Sequence, residues 1–551
     1  MKYLLPVTKL HFTSKSRFDG ISPSFIAKEI TDGKKCLLVT YDLHNCLSEL
    51  ESKTNGYDEI LDIHLLEAIL YLGKYHKRYF ESAQKIPAHG LRKHISEFVA
   101  KPNEVTGPSC IPKDFWPHLI QYTSKLKKRS VAGGVWNHYR NIEVPFAVSL
   151  YHLTRNGIAL DPTRVERIYR KINSARQELY YALDVNNVSG AEIKDLNDWV
   201  KGYGFEKFFP AGRNEISMRD LSLLEDQHQV FKIFSRLEKL KRARSFLNSI
   251  GDQRTIRPFY KTMGAVTGRC TSTNPNIMGI PKIFRPVVIP SKLDFGIVEC
   301  DYSQMEVGVA AALARDQNLI EDFNTSDVYE KAGELLYGKS GDGSRSKAKI
   351  IFLGIQYGLS QKTIARRLEI SEKEAARILA SLYGRYGNLK RYLASLERAG
   401  KENGYVENIS GLRRYRRYPE RVPNYWERNW FKNFPVQSSA ASVFKKAIIK
   451  MYRELKHEPF HLLVPLYDSV VFECPHNRIQ EITKVVEGCM ISCMKEYFPK
   501  LRPKVSINNL DPGCWNSEGK SNSVEEFLDN PLFDIDIREK PSSNIDWSSY
   551  L

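Results

Sequence analysis

Two aspartates stand where strand-like segments end. Asp301 follows the apolar run FGIVEC, and Asp468 lies between the two apolar runs of LLVPLYDSVVFEC, a pattern that predicts a β-hairpin. Carboxylate oxygens are hard ligands that suit Mg²⁺, and two metal ions about 3.5–4 Å apart stabilise the entering and leaving oxygens of a phosphoryl transfer. Each aspartate alone is equally explained as a turn residue or a helix cap. The rest of the chain must therefore decide between these interpretations.

A row of cationic and apolar residues lies between the two aspartates, in RSKAKIIFLGIQYG. Arg345, Lys349, Leu353 and Tyr357 are spaced by four residues, which places them on one stripe of a helix. Arginine and lysine bind phosphates, while an apolar and an aromatic side chain pack against a sugar and a base. The alternative is an ordinary amphipathic helix with snorkelling cations. The flanking aspartates favour the binding of a nucleoside triphosphate.

Polar segments on either side are typical of contacts with a nucleic-acid backbone. TGRCTSTNPNIMGIPK is rich in turn residues and carries Arg269, Asn274 and Asn276, which suit a sugar–phosphate backbone and a minor groove. NFPVQSSAASVFKKAIIKMY is predicted to begin a helix whose entry presents Asn433 and Gln437. Loop capping and helix initiation are the alternative roles for these residues.

A predicted basic helix precedes these motifs. FSRLEKLKRARSFL contains Lys241 and Arg244 among several other cations. A run of charge on a helix is commonly a solvated face. The motifs that follow directly favour a contact with nucleic acid.

The composition is that of a basic globular protein with several subdomains. The chain has 551 residues, 42% of them hydrophobic and 26% charged, and a formal net charge of +18. Its last 36 residues carry eight acidic against three basic side chains, so the remainder is still more basic. Such an excess favours a polyanionic partner and salt-sensitive binding. We expect no membrane span and no secretory signal, hence a cytoplasmic or nucleoid location, with reduced, buried cysteines.

The chain divides into four regions of different pattern. Residues 1 to about 135 are predicted to form a small α/β unit, and two helix-periodic stretches follow, Pro145 to Leu183 and Leu221 to Ile250. Strands, helices and loops alternate from Arg257 to about Trp515. The acidic tail that follows contains an apolar cluster. We expect this tail to be flexible or docked on the chain itself, with a protein partner as the alternative.

The motifs together resemble family A DNA polymerases, the class that includes bacterial DNA polymerase I and its phage relatives. The resemblance covers about Glu143 to Trp515 and rests on EVPFAVSLYHLTRNGIALD, TGR with STNPNIMGIP, DYSQME, the R…K…YG helix, GYVENISGLRRY, NFPVQSSAA and the YDS hairpin. It implies an α+β right-hand fold that binds primer–template DNA and dNTPs. The implied cofactor is a pair of Mg²⁺ ions, for which Mn²⁺ can substitute.

The resemblance also implies domain limits. Residues 136–515 would form the polymerase domain, with a thumb at about 161–250, a palm at about 257–320 and 425–515, and fingers at about 321–424. Residues 516–551 would form the tail, and no 5′-nuclease domain is expected.

Specific roles follow by position from the same resemblance. Asp301 and Asp468 would bind metal together with the Tyr302 carbonyl, and Lys349 would donate a proton to the pyrophosphate leaving group. Glu306 would exclude ribonucleotides by crowding the sugar 2′ position. The implied nucleotide-binding residues are Gln304, Glu306, Arg345, Lys349, Leu353 and Tyr357. The implied DNA contacts are Lys241, Arg244, Arg269, Asn274, Asn276, Asn433 and Gln437.

The chain departs from the family pattern at several positions. Tyr467 and Ser469 replace the histidine and glutamate that usually flank the hairpin aspartate. Leu353 replaces an aromatic residue, and the nearest phenylalanine is Phe352. Nucleotide affinity and sugar discrimination are therefore expected to differ from those of relatives. There are two further departures. Tyr329 stands where the family commonly has a histidine, and the arginine expected near Trp426 is displaced by one position, with Arg428 beside Asn429.

The amino-terminal region resembles a 3′–5′ exonuclease domain only in part. TYDLHN supplies Asp42 and LDIHLLEAILY supplies Asp62, but no D-x-E segment and no closing Tyr-x-x-x-Asp motif is found. Two metal ions require several carboxylates, so we expect no proofreading. Two rival functions remain open for the whole chain: a single-subunit RNA polymerase, and a polymerase-derived DNA-binding protein without catalysis.

Overall fold

The computed structural model describes most of the chain beyond residue 115 and three short segments before it. The described residues are 27–32, 35–40, 59–73, 116–206, 209, 214–218, 220–225, 228–338, 341–356, 358, 361–368, 370–509, 513–515, 528 and 530–532. Asp42 and Tyr357 lie outside them.

Near the amino terminus, a small sheet is followed by one helix. Its strands are β1 (Ala27–Asp32), β2 (Lys35–Thr40) and β3 (Glu59–Asp62). They lie in the order β1-β2-β3, with β2 antiparallel to β1 and parallel to β3. Helix α1 (Ile63–Leu70) begins at Asp62, whose Oδ1 accepts the Leu65 amide at 2.9 Å. The Asp62 carboxylate thus caps a helix, because the first amides of a helix have no partner within it.

A series of helical segments leads from this unit to the main body. They are α2 (Trp116–Ala132), α3 (Trp136–His138), a π-helical turn (Tyr139–Glu143) and α4 (Val144–Asn156). The Tyr139 hydroxyl accepts the Asp62 amide at 2.7 Å and donates to the Ile60 carbonyl at 3.1 Å. These two bonds fasten the small sheet to the helices.

The helix-periodic stretch from Pro145 to Leu183 contains a break that its periodicity does not reveal. Helix α4 ends at Asn156, and the short strand β4 (Ile158–Ala159) follows and pairs with β5 (Thr255–Ile256). Gly157 has φ 73°, and a Cβ there would lie 2.8 Å from the Thr255 side chain. Glycine permits both the positive φ and the close approach.

A largely helical segment lies between β4 and β5. It comprises α5 (Pro162–Val185), α6 (Ile193–Gly202), α7 (Leu221–Leu224) and α8 (Gln229–Ile250). The second predicted helical stretch is therefore divided, because His228 caps α8 by accepting the Val230 amide at 3.1 Å. Helix α8 packs against α5 through apolar residues such as Leu237 and Leu240.

The centre of the molecule is a four-stranded antiparallel sheet. It is preceded by the hairpin strands β6 (Phe259–Lys261) and β7 (Thr271–Thr273) and by 3₁₀ turns at Ile277–Gly279 and Lys282–Val287. The sheet contains β8 (Phe295–Tyr302), β11 (His461–Leu466), β12 (Ser469–Pro475) and β13 (Val505–Asn509) in the order β11-β12-β8-β13. The predicted hairpin is thus present as β11 and β12. Apart from Asp301, every residue of β8 is buried.

In the part of the chain that the structure describes, seven helices lie between β8 and the next hairpin. They are α9 (Met305–Ala314), α10 (Gln317–Thr325), α11 (Val328–Tyr337), α12 (Asp342–Gln356), α13 (Gln361–Leu368), α14 (Glu372–Arg385) and α15 (Gly387–Glu402). The hairpin strands β9 (Tyr405–Glu407) and β10 (Arg413–Tyr415) come next. Helices α16 (Tyr425–Glu454) and α17 (Ile479–Tyr497) follow, and α17 packs on the central sheet.

Helix α16 begins earlier than its sequence predicts. Asn424 accepts the Glu427 amide and Glu427 accepts the Asn424 amide, a reciprocal capping box that starts the helix. The helix continues through Pro435. The predicted location of Asn433 and Gln437 at a helix entry is therefore wrong, because both lie inside α16.

A buried polar network joins α16 to the π-helical turn. Glu143 is fully buried and accepts Lys445 Nζ at 2.6 and 2.8 Å and His138 Nε2 at 2.9 Å. Burial acts to raise the pKa of Glu143, but the charges and hydrogen bonds of Lys445 and His138 together outweigh it, and the pKa is lowered. The His138 ring also contacts the Ser410 hydroxyl at 2.8 Å. Each buried charge is thus compensated, which a buried ion pair requires.

The described part of the acidic tail packs on the chain itself. Leu528 is buried, Leu532 packs against the core, and the Pro531 carbonyl accepts Arg236 Nη1 of α8 at 2.7 Å. Six of the described cysteines, Cys270, Cys300, Cys474, Cys489, Cys493 and Cys514, are buried and unpaired, as expected. None of the described helices is long and apolar enough to span a bilayer.

Candidate active site

The register of the central sheet brings Asp301 and Asp468 together. Asp301 is paired with Ser469 on β12 and with Ser506 on β13. Asp468 lies in the turn just before Ser469, and its carbonyl accepts the Tyr302 amide at 3.0 Å. Two carboxylates from distant parts of the chain therefore meet at one end of β8.

The hairpin turn that carries Asp468 has two residues. Tyr467 has φ 63°, a left-handed conformation that tight hairpin turns require. The Asp468 amide donates to the Leu466 carbonyl at 2.6 Å. The backbone of the turn is thus fixed by hydrogen bonds to β8 and to β11.

Both carboxyl groups are held in a setting that disfavours their charge. Burial raises the pKa of Asp301 to about 7, with further contributions from the charges of Asp468 and Glu299 and an opposing one from Lys349. Burial likewise raises the pKa of Asp468 to about 6, with Arg269 opposing. The charge of Asp468 adds to the pKa of Asp301, and the charges of Glu306 and Glu299 add to that of Asp468. Carboxylates gathered in this way favour a bound cation.

The donor set suits a hard divalent cation. Mg²⁺ retains several waters and is commonly bound by one or two carboxylates together with substrate phosphates. Asp301 and Asp468 supply that number. Within the described residues, no group of three or more His, Cys, Asp or Glu side chains is arranged to hold a metal ion.

A third carboxylate lies beside the pair. Glu299 is two residues before Asp301 and therefore on the same face of β8. Its Oε1 accepts the Ser469 hydroxyl at 3.1 Å, and its Oε2 accepts Trp515 Nε1 at 3.0 Å. Arg285 lies 3.6 Å from Oε2 and 4.6 Å from the centroid of the Trp515 ring. The motifs did not identify Glu299, although strand alternation counted back from Asp301 would have placed it here.

Arg269 connects the hairpin turn to α9. Its guanidinium forms an ion pair with Glu306 and lies 5.3 Å from the centroid of the Tyr467 ring. Its charge also opposes the rise in the pKa of Asp468. Arg269 and Glu306, predicted to contact DNA and the sugar respectively, thus contact each other beside the Asp301–Asp468 pair.

The residues that follow Asp301 turn the chain into α9. Gln304 has φ 56° and precedes the helix, and its Oε1 accepts the Val328 amide of α11 at 3.1 Å. The Tyr302 side chain is buried, with its hydroxyl donating to the Met490 carbonyl at 2.6 Å. Gln304 therefore links α9 to α11, and only the backbone of Tyr302 is directed to the site.

Arg345, Lys349 and Leu353 of the predicted stripe lie on α12, whereas Tyr357 is outside the described residues, and the two cations differ in their partners. Arg345 donates to Asp327 Oδ2 from Nε at 3.2 Å and from Nη2 at 2.9 Å, and it lies over the Tyr329 ring. Hydrogen bonding to Asp327 raises the pKa of Arg345. Lys349, one turn further, is exposed and lowers the pKa of Asp301. The charge of the second cation of the row therefore acts on Asp301.

The aromatic residue beside Leu353 belongs to the core. Phe352 is 1% exposed and packs between the rings of Tyr329 and Tyr386, at centroid distances of 6.0 and 5.7 Å. Leu353 is half-buried on the neighbouring face. Phe352 consequently does not replace the aromatic side chain that is missing at position 353.

The predicted DNA contacts lie on three separate elements. Asn274 is exposed, whereas the Asn276 side chain accepts the Gly279 amide at 3.2 Å and so caps a 3₁₀ turn. On α16, Asn433 is half-buried and Gln437 is buried. On α8, Lys241 Nζ lies 3.0 Å from Glu192, and Arg244 is half-buried nearby.

Comparisons with known proteins agree with this arrangement. The family model described as DNA polymerase family A matches residues 200–508, more than half of the chain. DNA polymerase I of Bacillus subtilis (strain 168) is 27% identical over 389 residues, which cover 64% of this chain and 43% of the relative. DNA polymerase I of Bacillus caldotenax is 31% identical over 261 residues, which cover 43% of this chain and 29% of that relative. The chain thus spans less than half the length of these relatives.

A solved structure has the same fold. The POL domain of Pol1 from M. smegmatis, determined in complex with DNA primer-template and dNTP, aligns with a TM-score of 0.73 and 20% sequence identity. The alignment covers 85% of this chain and 84% of that domain. The mixed helical and sheet architecture described above is therefore shared with that domain.

Proposed function

The chain belongs to DNA polymerase family A, and from that premise we propose that it extends a DNA primer on a DNA template by nucleotidyl transfer from dNTPs. One observation carries the proposal more than any other. The register of β8 and β12 places Asp301 beside the turn that carries Asp468. Lys349 lies close enough to lower the pKa of Asp301. Two carboxylates and a facing cation are the groups that this reaction requires.

The proposed roles of the two aspartates concern metal binding. Asp301, Asp468 and the Tyr302 carbonyl would hold divalent cations, Mg²⁺ or Mn²⁺. When bound, these cations would lower the pKa of the primer 3′-hydroxyl and neutralise charge on the triphosphate. The raised pKa values of both carboxyl groups support this role, because a cation relieves the repulsion between them.

The proposed roles of α12 concern the incoming nucleotide. Arg345 and Lys349 would bind its phosphates, and Lys349 would donate a proton to the departing pyrophosphate. Leu353, Tyr357 and Gln304 would line the remainder of the nucleotide site. Glu306 would contact the sugar and select against ribonucleotides. Its ion pair with Arg269 supports a fixed orientation of the Glu306 carboxylate.

The proposed contacts with primer–template DNA complete the assignment. Arg269, Asn274, Asn276, Asn433 and Gln437 would contact DNA near the active site. Lys241 and Arg244 of α8 would contact the duplex further away. The thumb, palm and fingers limits given above are part of this proposal.

We also propose that the chain does not proofread. The amino-terminal region carries no D-x-E segment and no closing Tyr-x-x-x-Asp motif, and the Asp62 carboxylate caps α1 through Oδ1. A purified protein that shortens a labelled, mismatched primer from its 3′ end would overturn this assignment.

Primer extension with Mg²⁺ tests the proposed reaction. Asp301→Asn and Asp468→Asn should each abolish extension of a labelled primer, while the control Asp198→Asn, at an exposed position of α6, should leave it unchanged. Extension that persists in either active-site variant would contradict the mechanism. A wild-type protein that binds primer–template but never extends it would support a DNA-binding role without catalysis. Preference for rNTPs over dNTPs would favour an RNA polymerase.

A further inference from the structure

The start of α16 and the turn before it expose a group of aromatic side chains. Trp426 is 72% exposed, Tyr418 43% and Tyr425 40%. Arg417, Arg421 and Arg428 are interspersed with them in the sequence. We call these six residues the aromatic–arginine surface. Exposure of large aromatic side chains in one short segment indicates a binding surface.

The backbone beneath this surface is held by a buried arginine. Arg416 is 2% exposed and donates to Glu427 Oε1 at 3.0 Å, to the Pro419 carbonyl at 3.1 Å and to the Arg421 carbonyl at 2.6 Å. These bonds fix the turn against the first turn of α16. The exposed rings are therefore presented by a defined backbone.

The chemistry of the surface suits a polyanion with aromatic groups. The guanidinium groups of Arg417 and Arg421 lie 5.2 and 4.5 Å from the centroid of the Tyr418 ring. Residues 411–430 contain six arginines against two glutamates, and one glutamate, Glu427, is paired with the buried Arg416. Single-stranded nucleic acid is bound by positive charge along its backbone and by aromatic rings that stack on its bases.

The surface lies next to the proposed nucleotide site. Asn429, one turn after Trp426, contacts the end of α12, where a Cβ on Gly358 would lie 2.7 Å from Asn429 Oδ1. Gly358 has φ 66°, which permits this approach. Asn433 and Gln437 follow on the same helix. The surface therefore continues the row of proposed template contacts outward to solvent.

We propose that the aromatic–arginine surface binds the unpaired template strand ahead of the primer terminus, with bases stacking on Trp426 and Tyr418. This inference rests on the proposed function. A polymerase must accept every template sequence, and stacking meets this requirement because each base has an aromatic face. Arg417, Arg421 and Arg428 contact the phosphates of the same strand.

Binding to primer–templates that differ only in their 5′ overhang tests the proposal. Kd is measured by fluorescence anisotropy for an overhang of about 10 nucleotides and for one of a single nucleotide, in EDTA and without dNTPs. Trp426→Ala should weaken binding of the long overhang by about 5- to 100-fold, the effect of losing one stacked base. Binding of the short overhang should not change, and Trp426→Phe should restore most of the loss.

The control is Tyr181→Ala, which removes another exposed aromatic side chain, on α5. It should not distinguish the two overhangs. Equal weakening of both overhangs by Trp426→Ala, or no weakening of either, would overturn the proposal, and the second result would favour a protein partner for this surface. Because the assay contains neither metal nor dNTP, a failure of primer extension in the preceding experiment leaves its outcome interpretable.

Discussion

Strand β8 and helix α12 supply the two halves of the proposed site, and they hold their residues in different ways. Asp301 is fixed by pairing with strands on both sides of β8. On α12, one face is buried in the core, whereas Arg345 is bound through its side chain to Asp327 and Lys349 is exposed. A strand residue moves only if the register breaks, but a long side chain changes its partner by changing rotamer. The carboxylates are therefore positioned before substrate binds, whereas the cations are adjustable.

The largest effect on the α12 half is expected from its second cation. Lys349→Ala should slow single-turnover extension by about 10²-fold or more, because it removes both a phosphate contact and the proposed proton donor. Lys347→Ala, an exposed lysine on the same helix, serves as the control and should have little effect. Equal extension rates for the two variants would contradict the proposed role of Lys349 as a phosphate contact and proton donor.

Truncation of Phe352 and truncation of its neighbour Leu353 on α12 should affect different properties, protein stability in the first case and dNTP binding in the second. Phe352→Ala should destabilise the protein by about 3–5 kcal/mol, because Phe352 is a buried aromatic side chain. Leu353→Ala should change the free energy of unfolding much less and raise the KM for dNTP instead. Urea unfolding and steady-state kinetics separate these outcomes. A large loss of stability in Leu353→Ala would show that both residues belong to the core.

The ion pair of Arg345 offers a smaller and more specific test. Asp327→Asn retains a good helix cap but removes the negative charge that competes with the triphosphate for Arg345. The KM for dNTP should fall by about 3- to 10-fold, corresponding to roughly 1 kcal/mol. A rise in KM would mean that Asp327 orients Arg345 for binding rather than competing for it.

The unfavourable setting of the Asp301 carboxylate on β8 should be visible in the pH dependence of the free energy of unfolding. The pKa of Asp301 is about 7 in the folded chain and 3.8 ordinarily, so the folded state binds the extra proton between those values. Stability from this group is therefore lost as the pH rises through that window. In EDTA, Asp301→Asn should melt higher than wild type at pH 8, and the difference should vanish near pH 4. A variant that is less stable at every pH would contradict the assigned burial and repulsion.

Sequence patterns succeeded where one local rule determines the structure. The apolar runs around Asp301 and Asp468 predict strands, and the spacing of Arg345, Lys349 and Leu353 predicts a shared helix face. The pattern could not reveal Gly157, since a break that depends on contact with Thr255 leaves the helical periodicity intact. It also misplaced the start of α16, because Pro435 suggests a beginning whereas the capping box lies at Asn424.

Side-chain partners were the least predictable part of the site. Arg269 and Glu306 are distant in sequence, so nothing local indicates that they form an ion pair. The same holds for Asp327 with Arg345 and for Trp515 with Glu299. These contacts arise from tertiary packing, and only the register of β8 could have indicated Glu299 in advance.

The central claim is that Asp301 and Asp468 act as one unit. Single-turnover extension rates for Asp301→Asn, Asp468→Asn and the double variant test it most directly. Because residues that act together are non-additive, each single variant should lose about as much activity as the double variant. Losses that multiply in the double variant, or a single variant that retains the wild-type rate, would contradict the account.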